Sequence, residues 1–150
     1  SFIPYIIEKT GKTLPEIMNI LNKNSGLLGI SGISNDSRDI EDGINDGNER
    51  CVLAQKMFVQ SIVDYIVRYY VKLNGVDAIC FAGGIGENSV KTRKDIIEKL
   101  AILGIKLDDV ANNVRGKETI ITTSDSSVPC YVVPTNEEVM IARDTFSFIG

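Results

Sequence analysis

The run from Glu49 to Leu73, ERCVLAQKMFVQSIVDYIVRYYVKL, restricts how this chain can fold more than any other stretch. Asn48 starts it and Asn74-Gly75 closes it, so it reads as a single helix over residues 49–73. Lys56, Gln60, Asp64, Arg68 and Lys72 recur at every fourth position and fall on one narrow polar strip. The rest of the circumference carries Val52, Leu53, Met57, Phe58, Ile62, Val63, Ile66, Val67, Tyr70 and Val71. An ordinary surface helix has one apolar stripe. A helix that is apolar nearly all round needs more than one packing layer, and a subunit interface is one way to supply it.

Shorter elements surround this helix. Residues 3–8 and 14–22 read as two helices broken at Gly11, with Thr13, Pro15 and Glu16 marking the start of the second. Residues 25–35 (SGLLGISGISN) read as loop, and an acidic helix is expected over 37–45. Val76 to Phe81 is a short apolar run that reads as a buried strand. A helix over 90–103 ends at Gly104, and 105–107 reads as a short strand. Two β-branched runs, 119–123 and 129–133, read as strands joined by a turn at 124–127. Thr135 is expected to cap a last helix over 136–146. Strands separated by helices give an α/β layer fold.

A length of 150 residues suits one domain with a real core. The formal net charge of −4 is wrong for a protein whose main partner is nucleic acid. No apolar run approaches the ~20 residues that span a bilayer, and no signal-peptide pattern opens the chain. Cys51, Cys80 and Cys130 are widely spaced in apolar surroundings, as expected of buried thiols in a reducing cytosol. Ser1 begins without Met inside an ordered pattern, as a piece of a longer protein would. There is no histidine, so acid–base chemistry at neutral pH would need carboxylates, a metal or groups elsewhere.

Three motifs carry chemical possibilities. In FAGGIGENS, Phe81 to Ser89, three glycines join the strand to a helix. No lysine follows the last glycine, which excludes a Walker-type loop. The pattern also misses the third glycine of a dinucleotide fingerprint, although Asp108 arrives near the place of a ribose-binding acid. A strand-to-helix turn, with Asn88 or Ser89 as cap, and a nucleotide loop of another kind both fit. In DSRD, Asp36 suits a helix cap, or Arg38 suits recognition of a planar or anionic group. In PTNEE, Thr135 and Glu138 form a capping-box pattern, leaving Glu137 as a surface carboxylate or a ligand for a hydrated Mg²⁺.

Taken in order, SGLLGISGISNDSRDI, AICFAGGIGENS and VVPTNEEVMIARDT closely resemble the C-terminal half of the acetate kinase family. KLAILGIKLD and residues 113–118 match as well, so the resemblance covers nearly the whole chain. It implies an α/β fold of the sugar kinase–Hsp70–actin type, with nucleotide between two similar domains. It also implies reversible phosphoryl transfer from ATP to acetate with Mg²⁺, a cytoplasmic location, and a homodimer joined through C-terminal domains.

Residue by residue, the resemblance makes Asp36, Ser37 and Arg38 an adenosine-contacting segment. It makes Gly84, Ile85, Gly86, Glu87 and Asn88 a nucleotide-binding glycine loop, and Glu137 a magnesium-site carboxylate. The family's catalytic histidine and arginines, acetate pocket and phosphate loop have no counterpart here, and Arg38, Arg93 and Arg143 do not fill those roles. Residues 1–150 are therefore expected to form a nucleotide-binding and dimerising domain without a catalytic residue, inactive alone. A propionate kinase and a truncated, non-catalytic module are the alternatives.

Overall fold

The computed structural model describes residues 2–148. The chain divides into two compact units, 1–62 and 63–150, with the boundary inside the long helix.

The first unit is helical. Helix α1 spans Phe2–Thr10 and α2 spans Leu14–Lys23. As the sequence predicts, α2 starts on Thr13, whose N–H and hydroxyl donate to Glu16 Oε2 at 2.7 and 2.8 Å. The stretch that reads as loop is in part a helix, α3 (Gly26–Ser31), which the glycines and serines of the segment disguise. Gly32 ends it in the left-handed region (φ 72°), and Arg50 Nε donates to the Ile30 carbonyl at 2.9 Å. Helix α4 (Ser37–Asn45) has the expected bounds and buries Ile40. Gly43 comes so close to the next helix that a Cβ there would lie 2.6 Å from Cys51 Sγ.

Helix α5, Glu49–Lys72, is the long element the sequence demands. Asn48 Oδ1 accepts from the N–H groups of Arg50 and Cys51, and Asn74 (φ 57°) and Gly75 (φ 107°) turn the chain away at the far end. Cys51, Gln55, Val59 and Val63 form a buried row at four-residue spacing. Leu53, Met57, Tyr65, Tyr69 and Val71 are exposed, and the Arg68 guanidinium lies 5.3 Å from the Tyr65 ring centre.

The second unit has a three-stranded sheet in the order β1 (Ile79–Phe81), β3 (Cys130–Val132), β2 (Thr119–Ile120). Strands β1 and β3 are parallel, with Phe81 opposite Val132, and β2 runs antiparallel to β3. The strands are shorter than the sequence suggests, and 105–107 supplies only an isolated bridge, Leu107 to Thr122. Helix α6 (Gly83–Asn88) follows β1, then α7 (Val90–Lys99), a 3-10 turn (Ala101–Leu103), α8 (Asp109–Asn112) and, after β3, α9 (Glu137–Ser147). Phe81, Ile96, Ile97, Leu100, Ile105, Ile121, Cys130 and Val132 make the core of this unit. Cys51 and Cys130 are buried as expected, but Cys80 is exposed, because β1 has one uncovered face. No helix of the described residues is long and apolar enough to cross a membrane.

Candidate functional site

The glycine segment is not a loop but the six-residue helix α6. Its entry requires Gly83, whose φ of 69° turns the chain as it leaves β1. Gly86 is required for a different reason: a Cβ there would meet the Phe81 carbonyl carbon at 3.1 Å. Neither reason applies to Gly84, which has no positive φ and would have no atom within 4 Å of an added Cβ. The fold leaves that glycine unexplained.

The far end of α6 is held from behind by three separate donors. Arg93 Nη1 donates to the Gly86 carbonyl at 2.9 Å, the Gly116 N–H to the Glu87 carbonyl at 3.2 Å, and Arg115 Nη1 to the Asn88 carbonyl at 2.7 Å. These are carbonyls that a helix end leaves without intrahelical partners. Arg93 is fully buried and also donates to Asn112 Oδ1 and to the carbonyls of Asn112 and Val114. Burial, reinforced by the nearby Arg115 charge, lowers its pKa from the usual arginine value. Ser89 then caps α7 by accepting from the Thr92 N–H at 3.1 Å.

Glu87 points back along its own helix. Its Oε1 accepts from the Gly83 N–H at 2.9 Å, the Thr135 N–H at 2.9 Å and the Thr135 hydroxyl at 2.8 Å. The Thr135 donors, with Gly83 adding to them, hold its pKa below the ordinary carboxylate value. Thr135 is therefore not the cap of the last helix. Asn136 takes that place, with Oδ1 accepting from the Val139 N–H at 3.1 Å, and the expected box of Thr135 and Glu138 does not form. Glu137 stands exposed in the first turn of α9. Among the described residues no three His, Cys, Asp or Glu side chains cluster as a metal site. A lone carboxylate suits only an ion that keeps most of its waters or takes ligands from a bound phosphate, as Mg²⁺ does.

In the first unit, Asp36 is both cap and partner. It accepts from the Arg38 N–H at 2.9 Å, and its two oxygens accept from Arg38 Nε and Nη2, the shortest contact being 2.6 Å. Arg38, chiefly through its side chain, lowers the Asp36 pKa to about 2. The Arg38 side chain is nonetheless 86% exposed, so most of the guanidinium faces solvent. Ser37 opens α4 beside this pair. Asp108, in the place of a ribose-binding acid, instead caps α8 by accepting from the N–H groups of Val110 and Ala111.

Within the second unit the structure thus ties Gly83–Asn88 to Thr135, two residues before Glu137. Sequence reasoning misses Arg93, Arg115 and Thr135 as parts of this arrangement. One signal exists for Arg93: it occupies the same stripe of α7 as Ile96, Ile97 and Leu100, where a charge must find buried acceptors.

The sequence matches the acetokinase family over residues 1–143. The acetate kinase of Halothermothrix orenii is 51% identical over 145 residues, which is 97% of this chain and 36% of that protein. Among solved structures, the acetate kinase of Porphyromonas gingivalis matches with a TM-score of 0.88 at 41% identity, covering 98% of this chain and 37% of that one. A propionate kinase from Francisella tularensis matches with a TM-score of 0.84 at 41% identity, covering 93% of this chain and 35% of that one. These likenesses bear out the actin-like α/β class read from the sequence. The chain spans little more than a third of the length of the relatives it matches. From its matched residues and its shared fold, the chain belongs to the acetokinase family.

Proposed function

We propose that this chain is the C-terminal, nucleotide-binding and dimerising domain of an acetate kinase, a cytoplasmic enzyme that moves the γ-phosphoryl group of ATP reversibly to acetate. The observation that carries the nucleotide reading is Gly84. The fold does not demand a glycine there, whereas a flat ligand lying against the backbone of α6 does. The backbone of Gly84, Ile85, Gly86, Glu87 and Asn88 forms that surface, and Arg93 and Arg115 stiffen it through the Gly86 and Asn88 carbonyls. Asp36, Ser37 and Arg38 serve the adenosine, with Asp36 fixing the guanidinium plane that Arg38 offers.

Glu137 would help hold a nucleotide-bound Mg²⁺, which would neutralise charge on the phosphates. Phosphoryl transfer rests on positioning and on cationic stabilisation of the transferring group. The chain has no histidine, and its buried Arg93 is committed to backbone carbonyls and one amide oxygen. Its residues bind and orient, and the catalytic groups belong to the rest of the enzyme. The exposed apolar residues of α5, such as Tyr65, Tyr69 and Val71, form the homodimer surface.

Calorimetric titration with MgADP tests this reading. The 150-residue chain is expected to bind weakly, more weakly still with Arg38→Ala or Glu137→Ala, and to form no acetyl phosphate. Acetyl phosphate made by the chain alone overturns the assignment of catalysis to other segments. A propionate kinase is the second reading, because the solved enzyme of that kind is as similar in sequence as the acetate kinase structure. The ratio of kcat/KM for acetate and propionate in the full-length protein separates the two.

A further inference from the structure

The Glu87 carboxylate is engaged on one oxygen by donors that all belong to the protein itself. Oε1 collects the Gly83 N–H, the Thr135 N–H and the Thr135 hydroxyl, all between 2.8 and 2.9 Å. One end of this bridge is the entry of α6, the helix proposed to carry nucleotide. The other is the segment between β3 and α9. That segment is already tied to β1 one step earlier, where the Val133 N–H donates to the Phe81 carbonyl at 2.9 Å. Pro134 follows with no N–H to continue the ladder. Thr135 is thus the last point at which this segment is held before Asn136 caps α9 and Glu137 enters its first turn.

We propose that Glu87 is a positioning residue for the metal-site carboxylate: through Thr135 it fixes where α9 begins, and hence where Glu137 stands relative to the glycine helix. A negatively charged acceptor suits this task better than a neutral one, since hydrogen bonds to an ionised group are shorter and roughly twice as strong. The bridge also explains why a carboxylate sits inside a helix meant for an anionic ligand. Its charge is turned back onto three donors of the protein. The inference rests on the reading of Glu137 as a magnesium-site residue and adds what holds it in place.

The test uses the full-length protein that contains this chain, with Mn²⁺ replacing Mg²⁺ and ADP as nucleotide. Loss of the free Mn²⁺ electron paramagnetic resonance signal gives metal affinity in the ternary complex, and calorimetry without metal gives ADP affinity. Thr135→Val keeps the side-chain shape and removes the hydroxyl donor; Glu87→Gln removes the charge. Each is expected to weaken Mn²⁺ binding about tenfold, at the low end of what partners behind a metal ligand are worth. Metal-free ADP affinity of Thr135→Val is expected to stay within about twofold of the parent protein. Thr135→Ser, which restores the hydroxyl, is expected to recover the parent Mn²⁺ affinity, and the double variant to lose less than the two single losses combined.

If Glu87→Gln weakens metal-free ADP binding while Thr135→Val changes nothing, Glu87 is a direct nucleotide contact and the proposal falls. If Glu137→Ala weakens Mn²⁺ binding but neither Thr135→Val nor Glu87→Gln does, the positioning role fails while the metal-site reading stands. If Glu137→Ala leaves Mn²⁺ binding unchanged, the metal-site reading fails and takes the proposal with it.

Discussion

Arg93 Nη1 donates to the carbonyl of Gly86 at 2.9 Å, so a buried guanidinium on α7 holds the end of the glycine helix. Its other acceptors are the amide oxygen and carbonyl of Asn112 and the carbonyl of Val114. All of these acceptors are neutral. The fork of donors joins the end of α6 to the last residue of α8 and to Val114 beyond it, which makes it a structural rivet for the site.

Arg93→Ala leaves several buried acceptors without donors, each worth about 1–3 kcal/mol, and is expected to destabilise the fold by about 3 kcal/mol or more. Arg93→Lys keeps the charge but not the planar fork, and is expected to lose less than Arg93→Ala. Urea unfolding of the two variants beside the parent chain checks both the sign and the order.

Gly84→Ala separates ligand from fold. A Cβ at this position meets nothing within 4 Å, and alanine favours a helix over glycine by up to ~1 kcal/mol. The melting temperature is expected to hold or rise. Nucleotide affinity in the full-length protein is expected to fall by about tenfold, since a methyl group forced into a packed contact costs about 1–3 kcal/mol. A variant that melts lower and binds normally would count against the flat surface proposed for α6.

Gly43→Ala is the opposite case. The added Cβ would sit 2.6 Å from Cys51 Sγ and 3.3 Å from Cys51 Cβ, both within the buried packing of α4 on α5. Overpacking of this kind costs about 1–3 kcal/mol. Adding Cys51→Ala removes the colliding sulfur, so the double variant is expected to be more stable than the sum of the single effects predicts. Thermal unfolding of the four-member cycle measures the coupling.

Acid should weaken the fold through Asp36. A carboxyl whose folded pKa lies below its unfolded value stabilises the native state above the unfolded pKa, and this contribution is lost as pH falls through the folded one. For Asp36 the window runs from about 4, the ordinary aspartate value, down to about 2. Glu87, whose pKa is also lowered, acts in the same direction. Asp36→Asn is expected to be less stable than the parent near neutral pH, with the gap closing across that window. Urea midpoints measured from neutral pH down through the window report it.

The long elements are legible in the sequence because their signals are local. Asn48, the four-residue polar spacing and Asn74-Gly75 define α5 within a residue, and Asp36 starts α4 where expected. Thr135 misleads for the converse reason. T-x-x-E is a sound capping pattern, but Glu87 claims Thr135 from a distant part of the chain and Asn136 becomes the cap. Helix α3 is hidden by residues that favour turns, and α6 by its three glycines. At the site, the glycine, DSRD and PTNEE segments can be named from sequence. The stripe on α7 marks Arg93 as buried, but the distant carbonyls that Arg93, Arg115 and Gly116 reach leave no periodic trace.

The reach of the Glu87 bridge also bears on when the site comes into being. Glu87 and Thr135 lie 48 residues apart, and the β1–β3 pairing beside them spans a similar interval. Closing a loop of that length precedes any reward from the contacts it permits, so such pairings form late. Synthesis makes β1 and α6 before β3 and Thr135. Until then Glu87 has only Gly83 of this bridge to bind, and β1 lacks the parallel strand that pairs with it.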